Sequence, residues 1–575
     1  MIWWASLAGR RRDELAAIAE LEEKSDWLRG VTWRVRDVQL VADFEIMHLG
    51  VPVAMTISYP TFFPDIPPVV SPREEVLLSG HQYGAGGELC LEFRPDNWEP
   101  EITGAMMIES AHRLLSGEQP AADERGEVES AHRADLAREV RSEKFRLLVD
   151  GETKTALNAL APMAVTEIAI EEGYYAQHWL AAVGRIGPKD AARWVKSKGV
   201  ADSISREGYV IRVSDDAPPI AATYEFLESL FRSAGAAVVE QLIATSDREV
   251  PLLIVRREQL KLLSLQAGSG SRKPLNYRSV PLSDEGARLD PDYAALSARS
   301  VAIVGCGSVG SKIAVSLARS GVGTFVLVDG DLLLPGNLVR NELDLRAVGL
   351  NKPDALAARI REIRPDAVIE SKRMRLDGQE SAGSGDAALR RISRCDLIVD
   401  ATADPQIFNL CAAVARGDRK PLIWGEIYAG GVGGIVARAR PELDPPPHLA
   451  RRQIAAWYAE QPTPPPEANG TPYGAAASAD APPLIADDAD VGVIAAHMTR
   501  FATDILVGGE SAFPFSAYIV GMRTSWIFTS PFDTHPIALF PDGSWGHVPE
   551  ENWAEELDAF IKQILPPSDD KADEA

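Results

Sequence analysis

The stretch from Val301 to Lys352 limits the fold more than any other: VAIVGCGSVGSKIAVSLARSGVGTFVLVDGDLLLPGNLVRNELDLRAVGLNK. A short apolar run, Val301 to Val304, meets glycines at Gly305, Gly307 and Gly310, and a helix-patterned segment follows from Ser311 to Arg319. Strand, tight turn and helix in that order predict a parallel α/β unit, because glycine lets the backbone turn sharply and approach a phosphate at the helix N-terminus. A second apolar run, Phe325 to Val328, ends in Asp329, where a doubly wound sheet presents a carboxylate to a ribose hydroxyl. The fold expected here is a doubly wound, Rossmann-like sheet with a nucleotide at its carboxyl edge.

A Gly-x-Gly-x-x-Gly turn with a following acid serves dinucleotides as well as ATP. The discriminating residues come later: Asp331, Asn337, Arg340 and Lys352 gather polar and basic groups just past the second strand. A pyrophosphate on a helix N-terminus has no need of them, whereas a triphosphate gains from an Arg and a Lys. A solvated basic face is the rival explanation. The set Asp-x-Asp, Asn-Leu-x-Arg and a later Lys, with LIVDATAD at Leu397 to Asp404, is similar to the ThiF-type adenylating family, which includes ubiquitin-activating enzymes. This resemblance, over about residues 295 to 440, implies ATP and Mg2+ as cofactors. It implies that Gly305, Gly307 and Gly310 form the nucleotide turn and that Asp329 binds the ribose, with Asp331 beside it. Asn337, Arg340 and Lys352 would bind phosphates, and Asp404 the magnesium ion, with Asp400 as the alternative. Arg340 would also be catalytic, offsetting charge as a C-terminal carboxylate attacks the α-phosphate.

Upstream, Arg10 to Glu23 places Leu15, Ile18 and Leu21 at helical spacing. From Val31 to Ser58, runs of Val, Ile, Thr and Phe broken at His48 to Gly50 predict an antiparallel meander. Pro60, Pro64, Pro67 and Pro68 deny ladder hydrogen bonds and predict a stiff extended crossing. Cys90 then lies between a glycine-rich loop and Trp98 and Pro100, ahead of a helix that includes Met106 to Leu115. Taken by itself, a lone cysteine is most often a small buried hydrophobe. The order of parts, with His81, Gly87, Leu89, Cys90, Leu91, Trp98, Pro100, Leu114 and Leu115 in place, resembles the ubiquitin-conjugating fold over about residues 10 to 120. That resemblance implies a thioester between Cys90 and the C-terminus of a ubiquitin-like protein, ready for transfer to a target lysine. The family's His-Pro-Asn is His81-Gln82-Tyr83 here, so its oxyanion Asn has no counterpart.

These readings divide the chain into an α+β ubiquitin-conjugating-like domain (1–120), a charged helical connector (121–160) and a mixed α/β module (161–266). A Gly/Ser/Pro-rich linker (267–294), the adenylation domain (295–565) and an acidic tail (566–575) follow. Within the adenylation domain, Val491 to Leu506 reads as a helix, and Ala517 to Val520 and Ser525 to Phe528 as strands. Tyr174, Tyr175 and His178 read as core of the middle module. The Pro/Ala-rich stretch near 441–490 is expected to be a mobile crossover loop, and it contains no cysteine. Of the four cysteines, Cys306 sits in the glycine turn, and Cys395 and Cys411 flank LIVDATAD as core. Cys90 is thus expected to take the activated carboxylate directly, with Cys411 as the alternative thiol. With no CxxC pair and no Cys/His cluster, neither zinc nor disulfides are expected, and a reducing cytoplasm fits. The net charge of −24 argues against nucleic acid and anionic membrane as partners. No apolar run approaches the ~20 residues of a membrane-spanning helix.

A ubiquitin-conjugating-like domain followed by an adenylation domain resembles the fusion proteins of CBASS antiphage operons. That resemblance implies a ubiquitin-like protein or the C-terminus of a cGAS-like nucleotidyltransferase as the activated partner. It also implies a homodimer built through the adenylation domain. Two other classes stay open: a sulfur-carrier adenylating enzyme of cofactor biosynthesis, which has no need of residues 1–120, and a non-catalytic scaffold.

Overall fold

The computed structural model describes residues 2–74, 78–79, 81–83, 86–118, 136–196, 203–214, 224–233, 249–257, 259–265, 274–282, 290–376, 378, 380–466, 486–546 and 552–565. The chain divides into two compact units, Met1–Arg146 and Leu147–Ala575.

In the first unit, α1 (Trp3–Ser6) and α2 (Ala8–Lys24) precede an antiparallel sheet in chain order: β1 (Leu28–Arg36), β2 (Gln39–His48), β3 (Val51–Ser58) and β4 (Val69–Pro72). The connections Asp37-Val38 and Leu49-Gly50 all take positive φ, the geometry that matches a two-residue hairpin turn to strand twist. The proline-rich stretch is a crossing only in part. Val69 and Val70 pair with Ser58 and Ile57, because both keep the amide that the preceding prolines lack. A small hairpin, β5 (Gln82–Tyr83) and β6 (Glu88–Leu89), leads to α3 (Gly104–Glu118), which packs with α2 over Phe44, Ile57 and Phe63. Glu14 of α2 points into this core, where it accepts hydrogen bonds from the Tyr59 hydroxyl and the Gly104 amide, both at 2.7 Å, and pairs with Arg10 at 2.8 Å. Burial nonetheless raises the pKa of the Glu14 carboxyl above the ordinary value.

The elements that follow are α4 (Leu136–Val140), β7 (Phe145–Val149), α5 (Gly151–Asn158), β8 (Val165–Tyr175), β9 (His178–Ile186), β10 (Trp194–Val195), β11 (Ile204–Arg212), α6 (Tyr224–Ser233), β12 (Val250–Arg256), β13 (Gln259–Leu265) and β14 (Leu275–Pro281). The strands run in the order β10-β9-β7-β14-β13-β12-β11-β8, and β8 also pairs with β9, so all but β10 close into a ring. This corrects three expectations. Phe145–Val149, in the stretch read as a helical connector, is a strand with Leu147 and Val149 buried. Leu275–Pro281, in the stretch read as linker, is another, with Tyr277 buried and donating to Glu172 at 2.8 Å. Tyr174 and Tyr175 are not core: they stand 61% and 74% exposed at a hairpin whose turn residues, Ala176 and Gln177, have positive φ.

The last part contains β15 (Ser300–Val304), α7 (Ser308–Ser320), β16 (Thr324–Val328), α8 (Lys352–Ile363), β17 (Val368–Lys372), α9 (Ala382–Ser393), β18 (Leu397–Asp400), α10 (Pro405–Gly417), β19 (Leu422–Ile427), β20 (Gly433–Ala439), α11 (Pro447–Ala459), α12 (Asp488–Val507), β21 (Ala517–Gly521), β22 (Thr534–Ile537) and α13 (Trp553–Ile564). The sheet order is β17-β16-β15-β18-β19-β20-β21-β22, parallel from β17 to β19 and antiparallel beyond. Its parallel strands are buried on both faces, which is why they read as unbroken apolar runs. Ile313, Leu356 and Phe501, from α7, α8 and α12, belong to one core; Ile392, Phe408 and Ile454, from α9, α10 and α11, belong to another. Arg438 of β20 is fully buried, paired with Asp504 at 2.6 Å and held over the Phe501 ring.

Two expectations in this part are corrected. Within the stretch read as a mobile loop, Pro447–Ala459 is a helix with Ala450 and Ile454 in the core. Ser525–Phe528 is a turn, with Trp526 at φ 55°, and the edge strand is β22. Residues 467–485 of the expected loop and the acidic tail lie outside the described residues. Among the described residues no helix is long and apolar enough to cross a membrane.

Candidate active site

The order of the parallel strands reverses between β15 and β18, and in open α/β sheets a ligand crevice forms at that reversal. β15 is followed by Gly305, whose φ of 89° only glycine takes without strain. Its amide donates to the Val328 carbonyl at 2.8 Å, which binds the turn to the end of β16. Gly310 is needed for a different reason. A Cβ there would lie 1.8 Å from the Gly305 carbonyl oxygen, so only glycine lets α7 start this close to the turn. Gly307 caps α7, and a Cβ on it would meet nothing within 4 Å.

Asp329, one residue past β16, accepts hydrogen bonds from the Cys306 amide at 2.7 Å and the Asp331 amide at 2.8 Å. Its carboxylate is thus fixed beside the glycine turn, with lone pairs left for hydroxyl donors. Lys352 opens α8 and is 8% exposed; its ammonium pairs with Asp331 at 2.9 Å, and its amide donates to the Asp331 carbonyl. Asn337 accepts from the Leu334 amide at 2.9 Å through its side-chain oxygen and closes a short turn, and Arg340, largely buried, follows it. Just past β18, the Ala401 amide donates to the Val304 carbonyl, and Thr402 lies against Gly305. The Asp400 carboxyl is buried and accepts from the Thr402 amide and hydroxyl; burial raises its pKa. Asp404 caps α10 by accepting from the Gln406 amide at 2.7 Å, and its second carboxylate oxygen makes no hydrogen bond among the described residues.

The three glycines, Asp329, Asp331 and Lys352 therefore meet at one end of the sheet, with LIVDATAD against the turn. Residues read from the sequence missed Asn341. It is buried, donates to the Cys306 carbonyl at 3.4 Å and ties the 331–350 segment to the turn. Its only signal was its place next to Arg340. A divalent cation fits this set, since magnesium is commonly held by one or two carboxylates together with substrate phosphates, and Asp404 supplies one. Among the described residues no group of three or more His, Cys, Asp or Glu forms a self-contained metal site.

In the first unit, Cys90 is partly exposed, and its amide donates to the His81 carbonyl at 2.7 Å. The His81 ring lies 3.5 Å from the Glu118 carboxylate at the end of α3. The other three cysteines are buried. Burial pushes the Cys395 thiol up to about 11 and holds Cys306 and Cys411 well above the ordinary thiol value.

Residues 283–468 match the family model described as the ThiF family. The matched stretch takes in the glycine turn and the strands from β15 to β20, and is similar to that family there. Among curated proteins, the uncharacterized protein y4oA of Sinorhizobium fredii (strain NBRC 101917 / NGR234) is 34% identical over 183 residues, which cover 30% of this chain and 31% of that protein. The ATP-dependent ubiquitin transferase-like protein Cap2 of Enterobacter hormaechei subsp. hoffmannii (strain UCI 50) is 35% identical over 118 residues, 20% of this chain and 19% of the relative. The matches span about a third or less of these relatives' length. Among solved structures, E. coli MccB with ATP is 17% identical at a TM-score of 0.34, covering 44% of this chain and 69% of that one.

Proposed function

We propose that this chain activates the C-terminal carboxylate of a polypeptide with ATP and passes the acyl group to the Cys90 thiol. The observation that carries the reading is the junction of the glycine turn with Asp329, Asp331 and Lys352, a cradle with a fixed ribose acceptor and a buried ammonium. The polypeptide carboxylate attacks the α-phosphorus of ATP, and the bond to pyrophosphate breaks. Lys352 and Arg340 offset phosphate charge, Asn337 orients the segment that carries Arg340, and Asp404 is the ligand for magnesium, which supplies further charge neutralisation. The Cys90 sulfur then displaces AMP, and an amine of a target protein receives the acyl group. Cys90 suits the role because the other three thiols are buried.

The name of the Cap2 relative, an ATP-dependent ubiquitin transferase-like protein, supports this reading, as does the order of parts around Cys90. The partner is a ubiquitin-like protein or the tail of a cGAS-like nucleotidyltransferase, the setting antiphage defence, and the working form a homodimer. The test is exchange of labelled pyrophosphate into ATP with purified candidate partners, followed by non-reducing electrophoresis. Exchange with a thiol-sensitive adduct on wild-type protein, and exchange with no adduct on Cys90→Ala, is the expected outcome. Exchange with an adduct that persists in Cys90→Ala assigns the thiol elsewhere, and no exchange with any partner favours a scaffold.

A further inference from the structure

Beside Asp404 the sheet carries a second feature that nucleotide binding does not use. At the ends of β18 and β19, under α11, lies a cavity of about 240 Å³. Phe408, Trp424, Ile454 and Tyr458 lie in its apolar wall, and Asp400, Asp404, Glu426 and Arg451 line its polar side. Its shape is held by packing. The Phe408 and Trp424 rings meet edge to face at 5.3 Å, the Arg451 guanidinium lies 4.6 Å from the centre of the Phe408 ring, and the Tyr458 hydroxyl is fixed against that of Tyr428 at 2.6 Å. On α11, Arg451, Ile454, Ala455 and Tyr458 recur at helical spacing, so one face of the helix forms the roof.

We propose that this cavity receives the side chain of the last residue of the activated polypeptide, and that the residue it selects is bulky and apolar, with an aromatic ring the best fit. The assignment rests on the adenylation reading above, which puts Asp404 beside the phosphates and hence beside the carboxylate under attack. Size allows it: a cavity of about 150 Å³ already admits benzene, and this one, at about 240 Å³, has room for a ring beside its polar side. A terminal glycine would leave the aromatic wall against water and forgo the burial of its apolar surface. Aromatic neighbours also favour a ring in edge-to-face contact, and an Asp side chain would meet the carboxylates of Asp400 and Asp404.

The full-length protein is given ATP, magnesium and short synthetic peptides that differ only in their last residue, Phe, Leu, Gly or Asp, and pyrophosphate release is timed. Affinity for ATP is measured separately by titration calorimetry. The Phe peptide is expected to be used about 10-fold or more faster than the Gly peptide at equal low concentration, with Leu between and Asp slowest. In Ala455→Trp, an exposed position on α11 where the new ring fills the cavity, that advantage disappears; in Ala455→Ser it stays. A protein that binds ATP yet uses the Phe and Gly peptides at equal rates, or uses neither, overturns the assignment. A protein that binds no ATP removes the adenylation reading, and the assignment with it.

Discussion

Cys90 differs from the other cysteines in one physical respect: it alone reaches solvent. A maleimide added to the native protein is expected to label one thiol, Cys90, and four after denaturation; mass spectrometry of the labelled peptides checks it, and fast native labelling of Cys411 would contradict it. Lys352 carries the next expectation. Its ammonium is buried against Asp331, so Lys352→Ala removes one charge-assisted contact to phosphate. ATP binding should weaken by about 2 kcal/mol, some thirtyfold, in a calorimetric titration. The position of Asp329 was legible because it follows an apolar run, and that of Lys352 from its place after the Asp-x-Asp and Asn-Leu-x-Arg pattern. Asn341 was not, since a side chain that holds two loops together through one carbonyl leaves no periodic trace. Asn337 was read as a phosphate ligand, and its side-chain oxygen also closes a local turn.

The same contrast holds among elements. β15, β16, β18, α7 and α12 were readable, because burial on two faces or one stripe writes its period into the chain, whereas α8, β17 and β19 were not read from the sequence. α11 was misread as a loop since prolines dominate its start. Yet Pro446 is the residue before the helix and Pro447 lies in its first turn, where a missing amide costs nothing. β7 was hidden because its partners, β9 and β14, are far away in sequence, and β14 because it follows a Gly/Ser-rich stretch that reads as linker. At the junction of β7 and α5, Asp150 caps the helix through the Thr153 amide and pairs with Lys196 at 2.8 Å. Burial works against the charge, but the Lys196 and Thr153 contacts hold the Asp150 pKa down to about 2. A carboxylate with a depressed pKa stabilises the folded state fully above its unfolded value of about 3.9 and less as pH falls toward the folded one. Asp150→Ala should therefore lower the melting temperature near neutral pH, and the gap to wild type should close between about pH 4 and pH 2. A gap that widens with acid would contradict the pairing. Gly310→Ala should weaken ATP binding and stability together, as the added methyl collides with the Gly305 carbonyl.

For the molecule as a whole, the sequence organisation was legible in outline, with a meander ahead of Cys90 and a doubly wound sheet carrying the glycine turn. The antiparallel extension β20 to β22 was less so, and with it the fully buried Arg438. Asp504→Ala strips that guanidinium of its counter-charge and is expected to destabilise the second unit by about 3–5 kcal/mol, whereas Arg438→Met with Asp504→Ala should recover much of the loss. Chemical denaturation of the two variants checks the difference.

The closed ring of strands also decides where the chain can be cut. Sequence composition suggests the charged region after α3 or the Gly/Ser-rich stretch before β15 as seams, and compactness divides the chain between Arg146 and Leu147. That last cut passes through β7, whose loss would open the ring and leave two unpaired strand edges facing solvent, the kind of surface that recruits other chains. A fragment beginning at Leu136 keeps every strand of the ring and should remain monodisperse in size-exclusion chromatography, whereas one beginning at Asp150 should aggregate. Dissection of the two chemistries therefore has to leave Phe145–Val149 with the strands it closes, whichever half is wanted alone.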